Sequence, residues 1–258
     1  MTSFKEQYGS WAVVTGASEG IGKAIAILLA EQQFNLILVA RREQLLQELA
    51  DSFTSNIQVK IMAEDVSDYT NNQKIIEQTQ KLDVGLLVTS AGFGNSGEFV
   101  ESTLDEELNM IAVNCVASAH LAHHFGQRFK QQKRGGIMLF SSLVGFQGVP
   151  YFTNYAATKA YILSLAEGLH TELKPYGVDV CACAPGPVAT GFARRARMKM
   201  HFSAQVENVA QDALYSLGKY RVRRTGWLAK LLGLPMILIP RAMRFHLIKV
   251  IMQRMLTQ

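Results

Sequence analysis

Tyr155 and Lys159 stand four residues apart in Tyr-Ala-Ala-Thr-Lys, and Ser142 precedes Tyr155 by thirteen residues. On a helix, positions i and i+4 share a face, which sets an ammonium beside a phenol. A free phenol titrates at about 10, too high to exchange protons readily at neutral pH. A neighbouring cation favours phenolate, so Lys159 is expected to bring Tyr155 toward the working range of a general acid/base. Ser142 adds a hydroxyl able to donate a second hydrogen bond to the same substrate oxygen. The chemistry implied is proton exchange at an oxygen, as hydride transfer to a carbonyl carbon requires. Taken alone, Tyr-x-x-x-Lys is weak, because a pair on a solvated helix face has the same spacing.

Those residues need elements to position them, and the N-terminus supplies the first. Residues 11–15, Trp-Ala-Val-Val-Thr, read as a buried strand, and residues 23–30 read as a helix. Between them runs Gly16-Ala-Ser-Glu-Gly20-Ile-Gly22, a G-x-x-x-G-x-G spacing. Strand, glycine turn and helix form the context of a dinucleotide site. Glycines let the backbone approach a pyrophosphate, and the helix N-terminus stabilises its charge. Strand-like runs continue at 35–40, 57–62, 84–89, 136–141 and 178–184, with helical patterns between them. Repeated β-α units predict a single α/β domain, Rossmann-like, with a doubly wound parallel sheet and helices on both faces. Leu36-Ile-Leu-Val-Ala40 is continuously apolar, as a strand covered on both faces should be.

With these motifs in order, the chain resembles the short-chain dehydrogenase/reductase family from about Trp11 to Thr190. The resemblance implies that Gly16, Ser18, Glu19, Gly20, Ile21 and Gly22 form the cofactor turn, and that Asp65 and Val66 contact the adenine. Asn114 is then a structural and catalytic asparagine, and Ser142 the catalytic serine. Pro185, Gly186, Val188 and Thr190 belong to the segment that closes over the nicotinamide carboxamide. Ala91 and Gly92 approach the cofactor ribose, while Tyr155 and Lys159 serve both catalysis and cofactor binding. One departure stands out: Thr89-Ser90-Ala91-Gly92 replaces the usual Asn-Asn-Ala-Gly. The missing amides predict a less rigid central strand and a weaker hold on the cofactor.

Cofactor choice turns on the end of the second strand, Val39-Ala40-Arg41-Arg42. An acid there would bind a ribose 2′-hydroxyl. A guanidinium suits a 2′-phosphate instead, which favours NADP(H) over NAD(H) with Arg41 ahead of Arg42. Arg42 could instead open the next helix as a solvated residue, and Glu19 argues mildly the other way.

The last quarter differs in character. Residues 194–258 hold thirteen Lys/Arg against Glu207 and Asp212, a net of +11, whereas the rest of this +5 chain carries −6. Such a split predicts an anionic partner. The apolar stretch 227–240 is short and broken by Lys230 and Pro235, a poor membrane span. Residues 241–256 read as a helix with His246, Lys249 and Gln253 as its polar stripe. Basic, apolar and helical together suit an interfacial membrane segment, and a substrate lid or subunit contact is the competing expectation. The division expected is therefore 1–190 for cofactor binding and catalysis, and 191–258 for lid and extension. Few aromatics accompany the cations there, which argues against nucleic acid.

Cys181 and Cys183 alternate on a strand, and with Cys115 they make an odd count that fits reduced, packed thiols in a cytoplasmic protein. His120, His123 and His124 lack acidic or thiol neighbours, so no metal is expected. The short polar start leaves no room for a signal peptide.

The resemblance implies a carbonyl or secondary alcohol substrate, and the apolar lid suggests a lipophilic one: a ketoacyl chain, a steroid-like ketone or a long aldehyde. A basic rim also suits an acyl group on an acidic carrier protein or coenzyme A. It further implies a homodimer or homotetramer built on the helices that carry Asn114 and Tyr155. The rival from another class is a cofactor-sensing or scaffolding protein without turnover; a dehydratase or epimerase using the same tyrosine is a third.

Overall fold

The computed structural model describes residues 4–54, 56–196, 203–233 and 235–256. Within the basic segment, residues 197–202, 234, 257 and 258 lie outside the described residues. Its elements run α1 (Phe4–Tyr8), β1 (Trp11–Thr15), α2 (Gly20–Glu31), β2 (Asn35–Val39), α3 (Glu43–Asp51), β3 (Val59–Met62) and α4 (Tyr69–Thr79). Then follow β4 (Val84–Thr89), α5 (Leu104–Ile111), a π-helical turn over Ala112–Val116, α6 (Ala117–Gln132), β5 (Gly135–Phe140) and α7 (Thr153–Leu173). The chain closes with β6 (Val178–Cys183), α8 (Phe192–Arg195), α9 (Val206–Ser216), β7 (Val222–Arg223), α10 (Trp227–Gly233), α11 (Pro235–Leu238) and α12 (Arg241–Leu256).

The strands form one parallel sheet in the order β3-β2-β1-β4-β5-β6-β7. Alternation assigns each strand residue to a layer. Trp11, Val13, Ile37 and Val39 face a core shared with Ile75 of α4, Phe125 of α6 and Ile162 of α7. Ala12, Val14, Leu36 and Leu38 face Ile25 and Leu29 of α2, Leu46 of α3 and Ala213 of α9. Cys181 and Cys183 both point into this second layer, as the period of two requires. The order reverses between β1 and β4, and a crevice opens there beyond the strands' C-terminal ends.

Several boundaries differ from expectation. The third strand starts at Val59 rather than 57, where pairing with Leu36 begins. The second, fifth and sixth strands end at Val39, Phe140 and Cys183, because the chain turns there into the loops that line the crevice. The first long helix starts at Gly20 rather than 23, so the last two motif glycines form its first turn. A seventh strand had no signal beyond two residues. It lies in the segment expected as lid and extension, so that segment also completes the sheet and covers it with α9. The helix expected at 241–256 is α12 with those bounds.

Candidate active site

The crevice has a volume of about 650 Å³ and collects residues from the six loops that follow β1 to β6. At one end lies the glycine turn. Gly16 has φ +68, and a Cβ there would lie 2.8 Å from the Ala91 backbone. A Cβ at Gly22 would lie 2.4 Å from the Gly16 carbonyl oxygen. Only glycine permits this close stacking of the turn against the loop after β4. Glu19 is the extended residue before α2, and Gly20, Ile21 and Ser18 complete the turn. This cradle, open at a helix N-terminus and rimmed by two arginines, fits a dinucleotide phosphate.

The arginines divide the work differently from expectation. Arg41 Nη1 lies 3.6 Å from Asp65 Oδ2, whereas Arg42 Nη2 donates to Ser18 Oγ at 3.0 Å and pairs with Glu19 Oε2 at 3.0 Å. Arg42 precedes α3 with extended backbone, and its half-exposed side chain reaches back to the glycine turn. Glu19 and Arg42 thus form an ion pair at the rim of the glycine turn. Burial pushes the Asp65 carboxyl up, but the Ser67 N–H and hydroxyl and the Arg41 guanidinium outweigh it and hold it below the usual range. Asn71 and Asn72 of α4 donate to the Asp65 and Val66 carbonyls at 3.2 and 2.8 Å and fix that pair.

At the other end stand Ser142, Tyr155 and Lys159. Ser141 is buried and donates to the Lys159 carbonyl at 2.7 Å, so it ties β5 to α7. Ser142, one residue on, lines the crevice at the start of the 3-10 turn Leu143–Phe146. Of the two serines in the crevice lining, Ser141 is thus committed to the Lys159 carbonyl. Tyr155 and Lys159 are one turn apart on α7 and both are buried. Lys159 Nζ donates to the Phe140 carbonyl at 2.9 Å and sits 5.6 Å from the Tyr155 ring centre.

Their acidities correct the simple expectation. Burial raises the Tyr155 phenol above its ordinary value, with a hydrogen bond from Ser142 pulling the other way. Burial lowers Lys159 to about 8, against a small opposing pull from Cys115. Desolvation is the largest influence on both groups, although Lys159 Nζ lies over the Tyr155 ring.

Asn114 occupies the π-helical turn. Its Nδ2 donates to the Phe93 carbonyl at 2.9 Å and to Thr158 Oγ1 at 3.0 Å, and its Oδ1 accepts from Phe93 N–H at 3.0 Å. It clamps the loop after β4 to α7. A Cβ at Gly92 would stand 3.1 Å from Asn114 Oδ1 and 3.2 Å from Lys159 Nζ, so the loop after β4 touches both groups. Near the Thr89-Ser90 departure, Thr15 Oγ1 accepts from Ala91 N–H at 3.2 Å, and the Thr89 hydroxyl donates to Met138 O at 3.5 Å.

Pro185 and Gly186 run beside the serine loop: Leu143 N–H donates to the Pro185 carbonyl at 2.9 Å. Val188 bridges to Ala204, and a Cβ at Gly20 would meet Thr190 Cγ2 at 3.1 Å, so this segment leans over the glycine turn.

Some crevice residues had no sequence signal. Phe152 and Phe192 flank the Tyr155 ring at 5.6 and 5.2 Å, and Arg195 covers the Phe93 ring at 3.8 Å. Buried Glu107 accepts from Asn95 at 2.8 Å, Ser102 at 2.7 Å and Asn154 at 2.6 Å. Asn154 precedes Tyr155, the one hint that the start of α7 would be pinned. His120 stacks on Tyr69 at 4.4 Å on a different face.

A family model described as short chain dehydrogenase matches residues 10–201. A 7beta-hydroxysteroid dehydrogenase of Clostridium sardiniense is 34% identical over 190 residues, covering 73% of each chain. A very-long-chain 3-oxoacyl-CoA reductase of Pyrenophora tritici-repentis is 34% identical over 197 residues, covering 72% of this chain and 57% of its own. Among solved structures, one from work on 7beta-hydroxysteroid dehydrogenase stereoselectivity superposes with a TM-score of 0.88 at 26% identity, over 96% of this chain and 99% of its own. A short-chain dehydrogenase from Sphingobium yanoikuyae in complex with NADPH superposes at 0.79 with 29% identity, over 87% and 92% of the two chains. The chain belongs to the short-chain dehydrogenase family, oxidoreductases that act on CH–OH groups.

Proposed function

We propose that the protein is an NADP(H)-dependent reductase of a lipophilic ketone or ketoacyl group. The observation that carries this reading is one crevice with Ser142, Tyr155 and Lys159 at one end and Arg41 and Arg42 at the other. The nicotinamide, when bound, supplies the hydride. Ser142 holds the substrate oxygen, and the Tyr155 hydroxyl gives that oxygen its proton. A phenol raised by burial stays protonated through neutral pH, which favours reduction over oxidation there. Lys159, already inclined to lose its proton, replenishes Tyr155 and bonds the ribose. Asn114 acts as a positioning residue through Phe93 and Thr158.

Arg41 and Arg42 support the 2′-phosphate preference, and a relative solved with NADPH agrees with it. Phe93, Phe152 and Phe192 make the substrate wall apolar, and relatives named for hydroxysteroids and 3-oxoacyl-CoA suggest bulky, lipophilic carbonyls. Residues 191–258 are assigned as lid and extension over a core of 1–190. A homodimer or homotetramer would use the face where Ile111, Val116 and Tyr161 are exposed. Three buried free thiols are in keeping with a cytoplasmic setting.

The test has two readings. Tyr155→Phe should lower kcat for ketone-dependent NADPH oxidation on the order of 10²–10⁴-fold; retention of most activity would overturn the assignment. Arg41→Ala and Arg42→Ala should each weaken NADPH binding about tenfold or more by fluorescence titration, since each removes a charge-assisted contact. Equal affinity of the native protein for NADPH and NADH would remove the NADP preference. No substrate-dependent turnover with intact NADPH binding would favour a scaffold.

A further inference from the structure

We propose that α10, α11 and α12 form a docking surface for an anionic lipid bilayer. Two independent observations meet there. The first is charge: α10, α11 and α12 hold Lys230, Arg241, Arg244, Lys249 and Arg254, and from residue 213 to the end the chain has no Asp or Glu. The nearest acid, Asp212, is already engaged by Arg223, Lys230 and the Gly226 N–H. The second is apolar exposure. Leu238 is 88% exposed, Met243 64%, Leu231 60% and Trp227 59%, on three consecutive helices.

The geometry of α12 explains why these side chains stay outside. Ile248 and Met252 turn inward onto the cluster of Phe93, Phe152 and Tyr155, and Gln253 donates to the Tyr151 hydroxyl at 3.1 Å. Met243, Leu247 and Val250, spaced i, i+4, i+7, share the opposite face and are exposed. The helix is thus held to the body by one side and presents an apolar stripe on the other, with Lys249 beside it. Apolar side chains with interspersed cations match the acyl and headgroup layers of an anionic bilayer. A second copy fits less well, since an isologous contact would press two acid-free basic segments together. Among the described residues no helix is long and apolar enough to cross a membrane, so the mode is seating on the surface. If the proposed lipophilic substrate is right, seating would also bring the Phe93–Phe152 wall close to where such a substrate partitions; docking itself does not depend on that reading.

The full chain carries its own probe, because Trp11 is buried and Trp227 is exposed. We expect co-sedimentation with vesicles of phosphatidylcholine and phosphatidylglycerol, a blue shift in tryptophan emission, and loss of both in high salt. Retention on pure phosphatidylcholine should be at least tenfold lower. Trp227→Phe should abolish the shift and keep most sedimentation. The pair Leu238→Asp and Met243→Asp should lower vesicle retention at least tenfold while NADPH binding persists, and Lys249→Glu should lower it through charge alone. Failure to sediment with either vesicle would overturn the proposal. So would unchanged retention in both variants, or native self-association that the Asp pair abolishes, which would make the face a subunit contact. Vesicle retention with no nicotinamide binding would instead sink the proposed function and leave the docking surface standing.

Discussion

At the level of single residues, burial is the largest influence on both titratable groups of the crevice. Lys159 titrates near 8 in the folded protein, against 10.5 for the ordinary side chain. Between those values the unfolded chain holds a proton that the folded chain has released, so stability rises with pH across that window. Below about 8 the full cost of burying the ammonium is present; above about 10.5 it has gone. Lys159→Met removes this titration. The native protein should therefore gain stability on the variant from pH 8 to 10.5, by on the order of 3 kcal/mol at most. Urea melts without cofactor at pH 7 and 10 measure the difference, and a flat difference would mean that Lys159 is solvated. The same variant should lose turnover, since no side chain is left to restore the Tyr155 proton.

Elements act on the site through a few polar anchors. Glu107 on α5 gathers Asn95 and Ser102 from the loop after β4 and Asn154 from the first turn of α7. All three partners donate, so both side-chain oxygens of residue 107 must accept. Glu107→Gln would turn an NH2 group toward at least one of those donors, and should cost about 1–3 kcal/mol in urea melts. It should also raise KM more than it lowers kcat, because the loop that carries Phe93 loosens while Tyr155 and Ser142 remain. A variant as stable as the native protein would show that water serves the donors equally well. Spacing made α7 and the glycine turn legible, because period and motif are local. The Glu107 network was not, because its partners are drawn from separate segments and none has a motif of its own.

For the molecule as a whole, the chain divides its charge: an acidic body and a basic, apolar C-terminal end. That end serves two ends at once. β7 and α9 complete the sheet, while α12 closes the aromatic wall around Tyr155 with Met252. Met252→Ala should cost about 2 kcal/mol, at the low end for a buried methionine near the surface. It should raise KM for a bulky lipophilic ketone several-fold and leave a small ketone nearly unaffected. Equal effects on both ketones in steady-state kinetics would place Met252 outside the substrate wall.

The β-α order, the glycine cradle, the spacing of Tyr155 and Lys159 and the charge split are legible in the amino-acid order, since each is written in neighbouring residues or in composition. Folding settles what those local patterns leave open: which arginine turns back to the glycine turn, and which serine is tied to the Lys159 carbonyl. It also decided the acidities. Spacing can place an ammonium near a phenol, but the solvent each loses on burial depends on the whole surrounding core, and here that loss is the largest influence on both.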